Sequence, residues 1–222
     1  MRSEGRRASL PIQELVSLSR ARNGDPVSGT LAATDFVEFP KIARLNRECI
    51  VTEKIDGTNA CIAIGEDGSF RTGSRTRWIT PDDDNFGFSR WAHEHREELM
   101  QLGPGTHFGE WWGSGIQRGY GLQKGEKRFS LFNVSRWHRA LGGTVPPACC
   151  RVVPLLYWTP PGEAALSITA AVEYAVSALR RAGSQAVPGF TRPEGVVVYH
   201  TAARQLFKVT LERDDEWKGK RS

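Results

Sequence analysis

An α+β fold built on antiparallel sheets is what this sequence predicts, and three observations carry the prediction. Short runs rich in Val, Ile and aromatic residues recur between Gly and Pro punctuation, so strands outnumber helices. Successive runs are joined by short turn signals, which makes hairpins the natural pairing. Apolar residues recur at helical spacing most clearly over 164–182, and no Rossmann glycine fingerprint or internal repeat is present.

The elements follow in chain order. Residues 1–30 are rich in Arg, Ser and Gly with little periodicity beyond a helical turn near Ile12 to Leu18, and they read as a loosely ordered segment before a folded domain over 31–222. Strand-like patterning begins near Phe36. Cys49 to Thr52 is short and apolar, Ala60 to Ile64 ends at the turn signal Gly65 to Gly68, and Ser69 to Arg75 is the returning strand of that hairpin. The polar break Pro81 to Asn85 has helix-start character, and a helix is expected over Ser89 to Leu102. Thr106 to Trp112 and Arg128 to Val134 read as strands, joined by a loop with too many glycines to be core. Val152 to Leu156 is a further apolar strand, closed by Pro160, Pro161 and Gly162. Leu166, Ala170, Tyr174, Ala175 and Leu179 then give a helix over Ala164 to Ala182. Gly195 to His200 and Gln205 to Leu211 complete the pattern as two strands about a turn at Thr201 to Arg204.

Composition bounds the function classes. A chain of 222 residues holds one sizeable core, and no apolar run approaches the length that crosses a bilayer, so no membrane partner is expected. Arg2, Arg6 and Arg7 are followed by Ser9, Leu10 and Pro11 instead of an apolar stretch, which argues against a secretory signal. The four cysteines, Cys49, Cys61, Cys149 and Cys150, show no C-x-x-C spacing and fit a reduced, cytoplasmic protein better than a disulfide scaffold or a zinc site. Thirty Lys and Arg against 25 Asp and Glu leave a charge of +5, compatible with a polyanionic partner, but the basic residues are dispersed and do not indicate one alone.

The segment Glu53 to Asn59 holds the chemistry. Lys54 lies between two predicted strands and opens a K-x-D-G pattern with Asp56 and Gly57, whose glycine is expected to let the backbone turn tightly beneath a ligand. A lysine amine is a nucleophile only when neutral, and at pH 7 deprotonation from a reference pKa near 10.4 costs about 4 to 5 kcal/mol. A second cation or a bound metal nearby disfavours the charged form, and Lys208 is the candidate cation. Elsewhere, Arg71, Arg75 and Arg77 each offer a planar fork of donors, and Glu110 ends an apolar strand beside Trp111 and Trp112, where it needs a hydroxyl, a metal-bound water or a salt-bridge partner. Glu194 precedes Gly195 and three valines, a suitable place for a hard divalent cation or an ordinary strand-edge carboxylate. Of Trp111 and Trp112 only one can face the core, leaving the other for a cleft. His93 and His95 lie two apart on a helix and read as surface residues, and no metal-ligand histidine spacing occurs.

Taken in order, these segments resemble the covalent nucleotidyltransferase superfamily of ATP-dependent ligases and capping enzymes, and look most like its RNA ligase 2 family. Glu53 to Asn59 is similar to the nucleophile motif, and Gly73, Ser74, Arg75, Thr76 to the motif whose arginine contacts the ribose. Phe108, Gly109, Glu110 with Gly113 to Gln117 resembles the acidic motif and its glycine-rich tail, and Phe129 to Val134 the segment whose second aromatic, here Phe132, stacks on adenine. Glu194, Gly195, Val196 and Leu206, Phe207, Lys208 match the last two motifs. The resemblance spans roughly 36–211 and implies an antiparallel-sheet nucleotidyltransferase (adenylation) domain of the ATP-grasp-like DNA/RNA ligase type over 31–222. It implies ATP and Mg2+ or Mn2+ as cofactors, Lys54 and Lys208 as catalytic residues, Glu194 on the metal, and Glu53, Ile55, Asn59, Arg75, Glu110, Phe132 and Lys208 about the nucleotide. The implied partner is RNA with 5′-phosphate and 3′-hydroxyl ends.

Two departures qualify the resemblance. The family's last motif carries two lysines as K-x-K, whereas Lys208 is followed by Val209 and Thr210, and Lys218 or Lys220 substitutes only if the tail folds back. The chain ends eleven residues after Leu211, so no C-terminal OB domain is expected and a partner protein is the expected source of that function. The expected activity is ATP-dependent RNA ligation through lysyl-AMP. The alternatives are an RNA-end adenylyltransferase, a DNA ligase, a guanylyltransferase or a non-catalytic nucleic-acid-binding module of the same fold.

Overall fold

The computed structural model describes residues 41–212. The expected turn at Ile12 to Leu18, the domain boundary at 30/31, the strand-like start at Phe36, and Lys218 and Lys220 lie outside the described residues. Within them, ten strands form two sheets. The first has the order β10-β9-β1-β8, where β1 is Cys49–Lys54, β8 Leu155–Tyr157, β9 Gly195–His200 and β10 Gln205–Thr210. The second runs β4-β3-β2-β5-β6-β7, with β2 Thr58–Ile64, β3 Phe70–Ser74, β4 Trp78–Ile79, β5 Gly105–Gly113, β6 Lys127–Leu131 and β7 Cys150–Val152. The fold is thus α+β and mostly sheet. Every pairing is antiparallel as expected except β6 with β7, which is parallel because a long excursion through 132–149 separates them.

Three expected elements are divided. The stretch Val152 to Leu156 is two strands in different sheets: Val153 N–H still donates to Leu131 O at 3.1 Å, while the Pro154 carbonyl already accepts from Glu53 N–H at 2.9 Å. Proline lacks the donor a continuing ladder requires, so the chain changes sheets there. The helix expected over Ser89 to Leu102 is α1 (Phe88–Glu94) and α2 (Arg96–Leu99), broken at His95, with a 3-10 turn over Met100–Leu102. The strand expected to reach Val134 stops at Leu131, because Asn133 caps α3 (Val134–Trp137) by accepting from Arg136 N–H at 3.1 Å. The long helix α4 is Ile168–Ala182, started by Ser167 accepting from Ala170 N–H at 3.2 Å.

Three apolar clusters hold the layers together. Ala60, Ile62, Trp111, Phe129 and Leu131 on one face of the second sheet pack on Phe88, Ala92, Leu99 and Leu102. Val51, Val196 and Val198 on the outer face of the first sheet pack on Ala171, Ala175 and Leu179 of α4. Between the sheets lie Ile55, Trp112, Tyr120, Val134 and Val153. The expectation that one of Trp111 and Trp112 lines a cleft fails, because β5 is central with both faces covered and each tryptophan is core in a different cluster, 2% and 1% exposed. The glycine-rich loop is also partly core: Ile116 and Tyr120 anchor it as fully buried side chains.

Candidate active site

Where the chain leaves β1 for β2 it crosses from one sheet to the other, and Lys54 is the last residue before the crossing. Its surroundings follow from register. Lys54, Gly195 and Thr210 form one row across β1, β9 and β10; Thr52, Val197 and Lys208 form the next, and Ile50, Tyr199 and Leu206 the third. Directly paired residues share a face, so these rows present one surface, and all but Gly195 and Thr210 line a cavity of about 310 Å3. The intervening rows, Val51 with Val198 and Glu53 with Val196, face α4. The opposite wall comes from the second sheet, where Asn59 pairs with Glu110 and Cys61 with Phe108, completed by Arg75, Phe132, Ile55, Val134 and Val153.

The structure therefore brings Lys54, Ile55, Asn59, Arg75, Glu110, Phe132 and Lys208 to one cavity. Glu53 borders it through its main chain, because its carboxylate points the other way and accepts from Ser184 Oγ at 2.5 Å, Gln185 N–H at 2.8 Å and Ala186 N–H at 3.1 Å. Burial raises the Glu53 carboxyl pKa, and those three donors oppose the rise. Its carboxylate anchors the chain leaving α4.

Glu194 stands just before β9, where its Oε2 accepts from Lys54 Nζ at 2.5 Å, the two side chains 17% and 23% exposed. Gly195 makes this approach possible. With φ at +156°, a side chain there would bring Cβ to 2.1 Å from the Val209 carbonyl, so only glycine lets β9 begin this close to β10.

Glu110 is 8% exposed and fully engaged: Oε1 accepts from Gly57 N–H at 3.0 Å and Oε2 from Asn59 Nδ2 at 3.1 Å. Burial pushes its pKa up to about 7, against the pull of Lys54 and the Gly57 bond, with Glu194 and Asp56 adding to the rise. Gly57 has a reason other than the expected tight turn. Its φ is not positive; a Cβ there would meet Trp111 O at 2.5 Å and Trp112 Cβ at 2.7 Å. The glycine lets the turn after Lys54 lie directly on β5.

No group of three or more His, Cys, Asp or Glu among the described residues could cage a metal. His93, His95, His107 and His200 instead bond main-chain carbonyls. The donor set does suit a divalent cation that keeps waters and phosphate oxygens, since Mg2+ needs only one or two protein carboxylates beside them: Glu194 is not itself part of the cavity lining, but its carboxylate pairs with Lys54, which is. Thr210, where the K-x-K pattern would put a second lysine, lies in the same row as Lys54 with Gly195 between them. Lys208, one row further along, faces the same cavity.

The sequence gives no sign of Arg118 and Tyr120, which hold the turn after Lys54 from the glycine-rich loop: Arg118 Nε donates to Asp56 Oδ2 at 3.0 Å, and Tyr120 Oη accepts from Asp56 N–H at 3.0 Å. No spacing signals these contacts, which join residues more than sixty apart. The apolar wall also includes Ile50, Val197 and Tyr199; counting in twos back from Lys54 reaches Ile50, whereas Val197 and Tyr199 join the same face only through the β1–β9 register.

The sequence model of the RNA ligase family matches residues 47–210. A search of curated proteins returned no match. Among solved structures, a variant of Naegleria gruberi RNA ligase with ATP and Mn is similar at 18% identity and TM-score 0.50, over 76% of this chain and 51% of that one. Another variant of that ligase, with AMP and Mn, matches at 18% identity and TM-score 0.47 over 75% and 50%. An apo variant matches at 18% identity and TM-score 0.46 over 74% and 50%. The chain spans about half the length of these solved structures.

Proposed function

Since this chain belongs to the RNA ligase family, we propose that it is an ATP-dependent RNA ligase working through a lysyl-AMP intermediate. The observation that carries the reading is the joint lining of one cavity by Lys54, Arg75, Glu110, Phe132 and Lys208. The neutral Lys54 amine attacks the α-phosphorus of ATP. An N–P bond forms, the bond to the bridging oxygen breaks, pyrophosphate leaves with the electron pair, and the amine gives up its proton. A divalent cation, Mg2+ or Mn2+, held by Glu194 together with phosphate oxygens and water, supplies charge neutralisation on the phosphates when bound. Lys208 faces the α-phosphate, Arg75 and Glu110 the ribose, and Phe132 the adenine, while Ile55, Asn59 and the Glu53 main chain close the walls. AMP then passes to an RNA 5′-phosphate, and a 3′-hydroxyl displaces it as the phosphodiester forms. No helix among the described residues is long and apolar enough to cross a membrane.

Thr210 favours one second reading, in which the chain adenylates RNA ends and leaves sealing to a partner. Incubation with Mg2+ and ATP labelled at the α-phosphate tests the first step: label that stays on the denatured protein, resists alkali and is released by acid, as an N–P bond requires, is expected, and label that survives Lys54→Ala overturns the assignment. Supplying 5′-phosphorylated RNA then separates the readings. Joined product supports the ligase, and accumulation of adenylated ends supports the second. Competition by matched DNA strands tests the preference for RNA.

A further inference from the structure

Beyond the cavity wall, one guanidinium touches three chain segments that are distant in sequence. Arg118 donates from Nε to Asp56 Oδ2 at 3.0 Å, from one terminal nitrogen to the Arg192 carbonyl at 3.2 Å, and from the other to Glu212 Oε2 at 3.4 Å. Each contact lies close in sequence to a residue singled out above. Asp56 follows Lys54, Arg192 precedes Glu194, and Glu212 follows Thr210 on the strand that carries Lys208. A planar fork of fixed donors suits this task, because it constrains direction as well as distance.

The loop that presents Arg118 is itself firmly held. Ile116 and Tyr120 on either side are fully buried, and Tyr120 stacks on Phe190 with centroids 4.6 Å apart. Gln117 and Tyr120 both adopt left-handed backbone, with φ of 43° and 52°, a region that side-chain-bearing residues enter only when their surroundings dictate it. The ion pairs contribute little to stability by themselves, since Arg118 and Asp56 are each 26% exposed and Glu212 is 64% exposed. Their geometric effect is larger, because they tie together the segments supplying the nucleophile, its carboxylate partner and the last strand.

We propose that Arg118 is a positioning residue for nucleotidyl transfer, fixing through Asp56, Arg192 and Glu212 the relative placement of Lys54, Glu194 and Lys208. The inference rests on the lysine-adenylation reading above. It concerns the rate at which bound ATP reacts, and neither the folding of the domain nor the entry of ATP.

The test is single-turnover labelling by ATP and Mg2+ of the unchanged protein, Arg118→Gln, Arg118→Lys, Asp56→Asn and the double variant Arg118→Gln with Asp56→Asn, each with its melting temperature. Misplacing reacting groups by an ångström costs on the order of 100-fold, so Arg118→Gln is expected to slow labelling at saturating ATP by about 10- to 100-fold. The ATP concentration for half-maximal rate should move by less than about threefold, the mark of an interaction felt in the transition state. Arg118→Lys, which keeps the charge but not the fork, should fall between, and it decides the question if Arg118→Gln fails to fold. Because the two residues act as a unit, the double variant should be no slower than the slower single. The proposal is overturned if Arg118→Gln labels within about twofold of the unchanged rate, if only the ATP concentration dependence shifts, or if the single losses multiply in the double. Failure of the unchanged protein to label would instead overturn the adenylation reading, and this inference with it.

Discussion

The Lys54 amine and the Glu194 carboxylate meet at 2.5 Å where the two sheets separate, which makes the expected nucleophile and the expected metal ligand one coupled unit. A carboxylate has two oxygens, so pairing of Oε2 with the Lys54 amine does not bar the group from serving a cation. Removing its charge should therefore weaken the cation's hold.

For Glu194→Gln, the expected outcome is a higher Mg2+ or Mn2+ concentration for half-maximal labelling and a rate about 10- to 100-fold lower at the wild-type metal optimum, the usual range for altered metal surroundings. A metal titration of labelling by ATP measures both. The partly exposed pair adds about 1 kcal/mol or less to stability, so the melting temperature should barely move. An unchanged metal requirement would remove Glu194 from the metal.

Thr210 shares a row with Lys54 across β9, two strand spacings away on the same face. A lysine there would bring an ammonium toward the Lys54 amine and disfavour its charged form. Thr210→Lys is expected to speed labelling at pH 7 by about tenfold, because a like charge nearby favours the neutral amine that attacks. If the rate holds or falls, a second cation is not what this row lacks.

Gly57→Ala should disturb the site by steric overlap. The added methyl would sit 2.5 Å from the Trp111 carbonyl and 2.7 Å from Trp112 Cβ, on a buried central strand that cannot retreat. Overpacking of this kind costs about 1 to 3 kcal/mol. Urea unfolding should show that loss, and labelling should fall as well, since the Gly57 N–H bond to Glu110 lies in the displaced segment. A variant of normal stability would mean that the turn has room after all.

The strands and the order of the motifs were legible in the sequence because both are local. A short apolar run marks Cys49 to Thr52 as a strand and a run of valines marks Gly195 to His200 as another. The division into two sheets was not legible, since it turns on Ile55 and Pro154, whose partners Trp112 and Glu53 are set by tertiary packing. For the same reason the motif frame placed Glu53 beside the nucleotide without revealing that its carboxylate faces Ser184. Both tryptophans of β5 are core for a reason that no two-residue pattern contains: a layer lies on each side of that strand.

Glu110 supplies a pH dependence of known sign. Its folded pKa, about 7, lies above the ordinary carboxyl value of 4.5, so the folded state holds this proton more tightly than the unfolded chain does. The resulting stabilisation is fully present below pH 4.5 and is lost as pH rises through about 7. A shift of this size corresponds to at most about 3 kcal/mol. The charged groups acting on it are Lys54, which opposes the shift, and Glu194 and Asp56, which add to it. Glu110→Gln keeps the side-chain shape without a titrating proton, so its stability should change less between pH 5 and pH 8 than that of the unchanged protein. Glu53, also raised by burial, adds a slope of the same sign to both proteins and cancels in the difference. Urea midpoints across that range measure it, and parallel curves would show that Glu110 remains ionised in the folded protein, its bonds from Gly57 and Asn59 outweighing burial.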